Sequence, residues 1–169
     1  GSTPHKSWLA LFEQCAPLRA AVDEMLALRG VCVSNSVDEY CVFGSSLGWL
    51  CFYGCLTFDL RCTGYELVQP LVTLSNRLAE CHGISSGDCA DGHGQGGSVT
   101  FIHMDMLAAD LRRVRILVLT SHVWDTELLE RLDAKLAAEV PPVCIHDNAV
   151  DNFAAFVTTC IHRCKFVLL

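Results

Sequence analysis

YCVFGSSLGWLCFYGCL, running from Tyr40 to Leu56, changes character twice. Tyr40-Cys41-Val42-Phe43 is a short apolar run that stops at Gly44 and reads as a first, central strand. Gly44-Ser45-Ser46-Leu47-Gly48 is a turn bounded by glycines, and Gly48 to about Leu56 is apolar on every side, as a buried helix is. A strand, a glycine turn and a helix in succession put bare backbone N–H groups beside a ligand. In an open α/β sheet, ligands bind outside the carboxyl ends of the strands, where the strand order reverses. The uncharged stretch from Cys41 to Phe58 is also about long enough to span a bilayer. Gly44, Gly48, Gly54 and the Ser45-Ser46 pair interrupt it, so a strand, a turn and a buried helix explain it better than a membrane span.

Outward from this unit, strand-like and helix-like segments alternate, the signature of a parallel sheet covered by helices. Leu60 to Glu66 reads as a second strand, and Pro70 opens a helix with Leu71, Leu74 and Leu78 at helical spacing. Ser85 to Gly97 is rich in glycine, serine and aspartate without apolar periodicity, as a surface loop is. Val99 to Ile102 is a third strand, and Arg115 to Leu119 a fourth, apolar enough to be covered on both faces. Asp125 caps the next helix, with Glu127 in its first turn, Leu128, Leu129, Leu132 and Leu136 on its inner face, and Pro141-Pro142 at its end. Val143 to His146 reads as a fifth strand, and Phe153 to Ile161 and Cys164 to Leu169 as two more joined by a tight turn near His162-Arg163. Upstream, Pro17 opens a helix carrying Leu18, Val22, Met25 and Leu26, and Gly30 ends it. The expected organisation is an N-terminal helical segment, 1–37, packing on one α/β domain, 38–169.

The chain has 169 residues, one domain's worth, and 51% of them are apolar, enough for a core without disulfide or metal staples. A net charge of −7 argues against direct nucleic-acid binding, which needs a concentrated basic face, and against a polybasic membrane anchor. The 11 cysteines lie mostly inside apolar stretches, among them Cys41, Cys51, Cys55, Cys62 and Cys144. No charged start followed by an apolar run marks a secretory signal. The cysteines are therefore expected to be reduced, buried small hydrophobes in a cytoplasmic or nuclear protein. Cys81, His82, Cys89 and His93 match no standard zinc spacing, Cys160 and Cys164 flank a predicted turn, and no Cys-x-x-Cys occurs, so neither a metal site nor redox chemistry is expected.

Two acids complete the chemistry. Glu66 ends the second strand, where a carboxylate can accept hydrogen bonds from both hydroxyls of a ribose. Asp105, in His103-Met104-Asp105-Met106, follows the third strand at the same edge of the sheet. Alone, each has a plain reading: a solvated strand end for Glu66, a turn cap for Asp105. Together with the glycine turn, in this order and spacing, they make a nucleoside-shaped site.

The run VFGSSLGWL resembles motif I of class I S-adenosylmethionine-dependent methyltransferases, usually an acid, a variable residue, then G-x-G-x-G. GYELVQPLVTLSNRLAE resembles the next motif, whose ribose-binding acid matches Glu66, and VTFIHMDML the third, whose aspartate near the adenine matches Asp105. RILVLTSHVWDTELLERLDAKLAAEVPP resembles the fourth strand and its helix, most closely those of the non-SET histone-lysine methyltransferases. The likeness covers about Asp38 to Leu169. It implies a three-layer Rossmann-like sandwich with a mostly parallel sheet and an antiparallel strand at the C-terminal end. It implies S-adenosylmethionine as cofactor, held by Gly44, Ser45, Ser46, Gly48, Glu66 and Asp105, and a protein side chain such as lysine as substrate. Thr120, Ser121 and His122 would line the mouth where the methyl group is passed, with Tyr65 beside them and Trp124 as an apolar wall or a packed core residue.

Two departures matter. The motif I acid is replaced by Val42 and the middle glycine by Ser46. Both leave open a domain that keeps the fold but serves as a binding or scaffold module. A dinucleotide-dependent oxidoreductase is a further alternative, since Glu66 suits a nicotinamide ribose. The absence of G-x-G-x-x-G and the expected antiparallel end of the chain weigh against it.

Overall fold

The computed structural model describes residues 3–28, 40–84, 96–112, 114–119, 124–139 and 165–168. Five strands, β1 (Tyr40–Phe43), β2 (Arg61–Glu66), β3 (Ser98–His103), β4 (Ile116–Leu119) and β5 (Lys165–Leu168), form one sheet in the order β3-β2-β1-β4-β5. Every pairing is parallel. Sequence places β1 first and space places it between β2 and β4, so the strand order reverses at the carboxyl end of β1.

Side chains alternate across the sheet, which is why β1 and β4 are apolar at every position. Tyr40 and Val42 face one core, with Ile116, Val118, Val99 and Phe101. That face is covered by α1 (His5–Gln14), α2 (Ala16–Leu28), α3 (Trp49–Phe58) and α4 (Gln69–Cys81). Cys41 and Phe43 face the other core, with Leu117, Leu119 and Leu132 of α5 (Thr126–Glu139).

Trp8 and Phe12 of α1 are fully buried, and the Trp8 indole N–H donates to the Tyr40 hydroxyl at 3.0 Å. The N-terminal helices therefore share the core of the sheet. Asp125 caps α5 as its sequence suggests: its side chain accepts from the Leu128 N–H at 2.8 Å. Leu132 is buried and Leu128 and Leu136 pack beside it, while Leu129 turns outward.

Helix α4 forms where the Pro70 start and the leucine spacing suggest, and Leu78 packs beside the core. Its buried residues are Val72, Ser75 and Ala79, and Leu74 is exposed. The helix packs on β3 through these residues. Asn76 reaches the outer edge of β3. Its side-chain amide donates to Phe101 O at 2.9 Å and its carbonyl accepts from Phe101 N–H at 3.0 Å. Among the described residues β3 is an edge strand, and this side chain takes the place of a neighbour strand at one of its residues.

The chain's end corrects the expected antiparallel strand: Lys165–Leu168 runs parallel to β4, in register from Ile116 to Leu119. An apolar run carries no direction. Direction is set by the connection, and residues 140–164 give ample length for the crossover that a parallel neighbour needs. The expected strands Val143–His146 and Phe153–Ile161, the loop from Ser85 as far as residue 95, and Gly30 lie outside the described residues. No described helix is long and apolar enough to cross a membrane.

Candidate functional site

The turn after β1 is built from left-handed residues in alternation. Gly44 has φ 69°, Ser46 φ 50° and Gly48 φ 82°. The two glycines adopt this region without steric cost, whereas Ser46 pays about 1–2 kcal/mol for it. Gly44 N–H and Ser45 N–H both donate to Tyr65 O, at 3.0 and 3.1 Å, which ties the turn to the end of β2.

Glu66 compensates for the strain at Ser46. Its Oε2 accepts the Ser46 N–H at 2.9 Å, and its Oε1 accepts the Val68 N–H at 3.0 Å. A carboxylate has about four acceptor positions, so both oxygens keep capacity for a ligand's hydroxyl groups. Ser75 Oγ adds a contact to Ser46 O at 3.4 Å.

Beneath the turn sits the Phe101 ring. A Cβ on Gly48 would lie 2.3 Å from Phe101 Cζ, and one on Gly64 would lie 2.6 Å from Phe101 Cδ1 and 2.8 Å from Ser45 Oγ. Gly64 was not singled out by sequence, although a glycine inside a strand signals close backbone approach. The Ser45 hydroxyl is buried against it and meets no hydrogen-bond partner among the described residues.

The third strand joins the same edge. Met104 N–H donates to Glu66 O at 3.2 Å, extending the β2–β3 ladder one step past its last pair, Glu66 and His103. His103 Nε2 lies 2.9 Å from Leu67 O. Asp105 follows and caps a single 3-10 turn, Met106–Ala108, through Leu107 N–H to Oδ1 at 2.9 Å.

Gly44, Ser45, Ser46, Gly48, Glu66 and Asp105 thus stand at the carboxyl ends of three adjacent strands, with Glu66 bonded directly to the turn. Val42, at the position of the missing acid, is fully buried in the core. Tyr65 is buried, with its ring edge-on to Phe43. Trp124 packs against the α5-side core. Thr120, Ser121 and His122 lie outside the described residues, as do Cys89 and His93 of the metal-like set. No metal-ligand cluster occurs among the described residues.

No protein-family model and no curated protein matches the chain. Among solved structures, it is similar to an RNA methyltransferase from Salinibacter ruber in complex with S-adenosyl-L-homocysteine, at 23% identity over 73% of this chain and 70% of that one, with a TM-score of 0.49. It is also similar to a geranyl diphosphate C-methyltransferase from Streptomyces coelicolor A3(2) (19% identity, 80% of this chain, 45% of that one, TM-score 0.45). A third is the glycopeptide N-methyltransferase MtfA in complex with S-adenosyl-L-methionine (18% identity, 72% of this chain, 50% of that one, TM-score 0.45). The chain spans half or less of the length of the last two.

Proposed function

We propose that this chain binds S-adenosylmethionine at the carboxyl ends of β1, β2 and β3 and transfers its methyl group to a protein side chain such as lysine. The observation that carries the cofactor reading is the Glu66 carboxylate, bonded to the left-handed Ser46 of the glycine turn and retaining acceptor capacity for a ribose diol. Gly44 and Gly48 take the left-handed positions of the turn, and Asp105 stands one strand further on, at the position that the resemblance assigns to the adenine.

The residues fit a nucleoside end better than an amino-acid end. Val42 offers no partner for an ammonium group, and the Ser46 side chain adds bulk where the turn would meet a ligand. When bound, S-adenosylmethionine supplies an already reactive methyl sulfonium, so the hard chemistry is the cofactor's. The chain's own task is to align an acceptor in line and keep water out. An amine acceptor must arrive neutral, which a neighbouring acid–base group or desolvation favours. Thr120, Ser121 and His122, directly after β4 in sequence, are the candidates for lining that approach. The choice of a lysine rests on the likeness of the 115–142 stretch to the non-SET histone-lysine methyltransferases. The net charge of −7 is compatible with a basic protein substrate and with no direct nucleic-acid contact, and the cysteines within apolar stretches with a cytoplasmic or nuclear setting.

One observation favours a second reading, a binding or scaffold domain without catalysis: Val42 is sealed in the core and Ser46 holds a strained conformation, the two positions where the motif departs. Incubation with methyl-labelled S-adenosylmethionine and protein extracts, fractionated by acceptor, separates the two. Label on protein lysine that is lost in His122→Ala supports transfer. Cofactor binding without label on any acceptor supports the scaffold.

A further inference from the structure

Leu67 and Met104 are large apolar side chains left open to solvent, 61% and 38% exposed, at the tips of neighbouring strands. They flank the point where β2 and β3 leave the sheet, since Glu66 and His103 are the last paired residues and Met104 N–H still reaches Glu66 O. Leaving such groups in water costs free energy, so their placement beside the Glu66 carboxylate suits a flat apolar ligand group adjoining a diol.

Residues just past a strand end ordinarily lose their backbone partners. Here Leu67 does not: its carbonyl lies 2.9 Å from His103 Nε2. A carbonyl oxygen only accepts, so Nε2 carries the proton and donates. His103 thereby pins the backbone of Leu67 to β3, while Glu66 pins the next residue through Val68 N–H. The imidazole sits at the last register position of β3 and does not need to touch a ligand to act.

We propose that His103 is a positioning residue, holding Leu67 beside Met104 as an apolar platform for the base of an adenine nucleoside. The inference rests on the nucleoside reading given above. Its content is the added claim that base affinity passes through the His103–Leu67 hydrogen bond.

The test is calorimetric titration of S-adenosylhomocysteine into wild type, His103→Ala, His103→Gln and Leu67→Ala, with amide hydrogen exchange of the same proteins without ligand. His103→Ala is expected to weaken binding about five- to tenfold, the worth of one net hydrogen bond. His103→Gln, whose amide keeps a donor of similar reach, restores most of it. Leu67→Ala, which leaves the backbone acceptor in place, weakens binding by a similar factor. Val68 and Met104 amides exchange faster in His103→Ala than in wild type or His103→Gln. Wild-type affinity in His103→Ala, or a glutamine variant no better than the alanine one, overturns the proposal while leaving the nucleoside reading intact. Failure of wild type to bind S-adenosylhomocysteine overturns both, and is told apart by the absence of any heat in the unmodified protein.

Discussion

Replacing Gly48 by alanine strains the turn in two separable ways. At φ 82° a residue with a Cβ costs about 1–2 kcal/mol. The new Cβ would also lie 2.3 Å from Phe101 Cζ and 2.5 Å from Cε1, a distance no relaxed contact tolerates. The ring cannot move freely, because it packs on Phe52 with ring centres 5.5 Å apart and its backbone is held by both ends of the Asn76 amide. Overpacking of this kind costs typically about 1–3 kcal/mol, so Gly48→Ala is expected to destabilise by about 3 kcal/mol in all. Phe101→Leu removes Cζ and both Cε atoms at a cost of about 1–2 kcal/mol of its own. In the double variant the clash is gone and the dihedral cost remains. The double variant is therefore less destabilised than the two singles together, by about 1–2 kcal/mol. Urea unfolding of the four proteins, followed by circular dichroism at one temperature, measures this directly. Additivity within about 0.5 kcal/mol would refute the claim that the Phe101 ring is what makes residue 48 a glycine.

Asn76→Leu leaves the Phe101 N–H and C=O without their partners at the sheet edge and is expected to cost about 2 kcal/mol in urea unfolding, with a rise in concentration-dependent light scattering as the bared edge pairs between molecules. Cys51 and Tyr40 are both held protonated by burial, which raises them well above their ordinary values. The unfolded chain ionises near pH 8.5 at the thiol and near pH 10 at the phenol. Their contribution is therefore complete below about pH 8.5 and is lost as pH rises, so the thermal midpoint should fall progressively above that pH, and the fall should be shallower in Cys51→Ala. In native protein a thiol reagent should modify exposed Cys81 and leave Cys41, Cys51, Cys55 and Cys62 unmodified until denaturant is added, as mass spectrometry would show.

The strand–turn–helix unit was legible because its signals are local: an apolar run, two glycines, then a helix apolar on all sides. Tyr40–Phe43 is a strand as expected, and Glu66 and Asp105 stand at the carboxyl edge because strand ends are marked by the change from apolar to polar residues. What sequence concealed depends on distances between elements. The leucine spacing of α4 gave a helix, but not that Val72, Ser75 and Ala79 are the residues it buries, since burial depends on how the helix lies on the sheet. The direction of Lys165–Leu168 lies in a connection, which an apolar run does not encode. Phe101 read as an ordinary strand residue and His103 as the first residue past the strand; their roles exist only once Gly48, Gly64 and Leu67 are brought against them. The Glu66–Ser46 bond joins two expected site residues by a contact that neither residue alone announces.

Glu66 is the joint of the whole account, since its carboxylate is asked both to hold the turn and to grip a ribose. Calorimetric titration of S-adenosylmethionine into wild type and Glu66→Ala, with unfolding controls on each, addresses both tasks. Saturable one-to-one heat in wild type that disappears in a still-folded Glu66→Ala protein is the predicted result. Equal binding by the two proteins would contradict it.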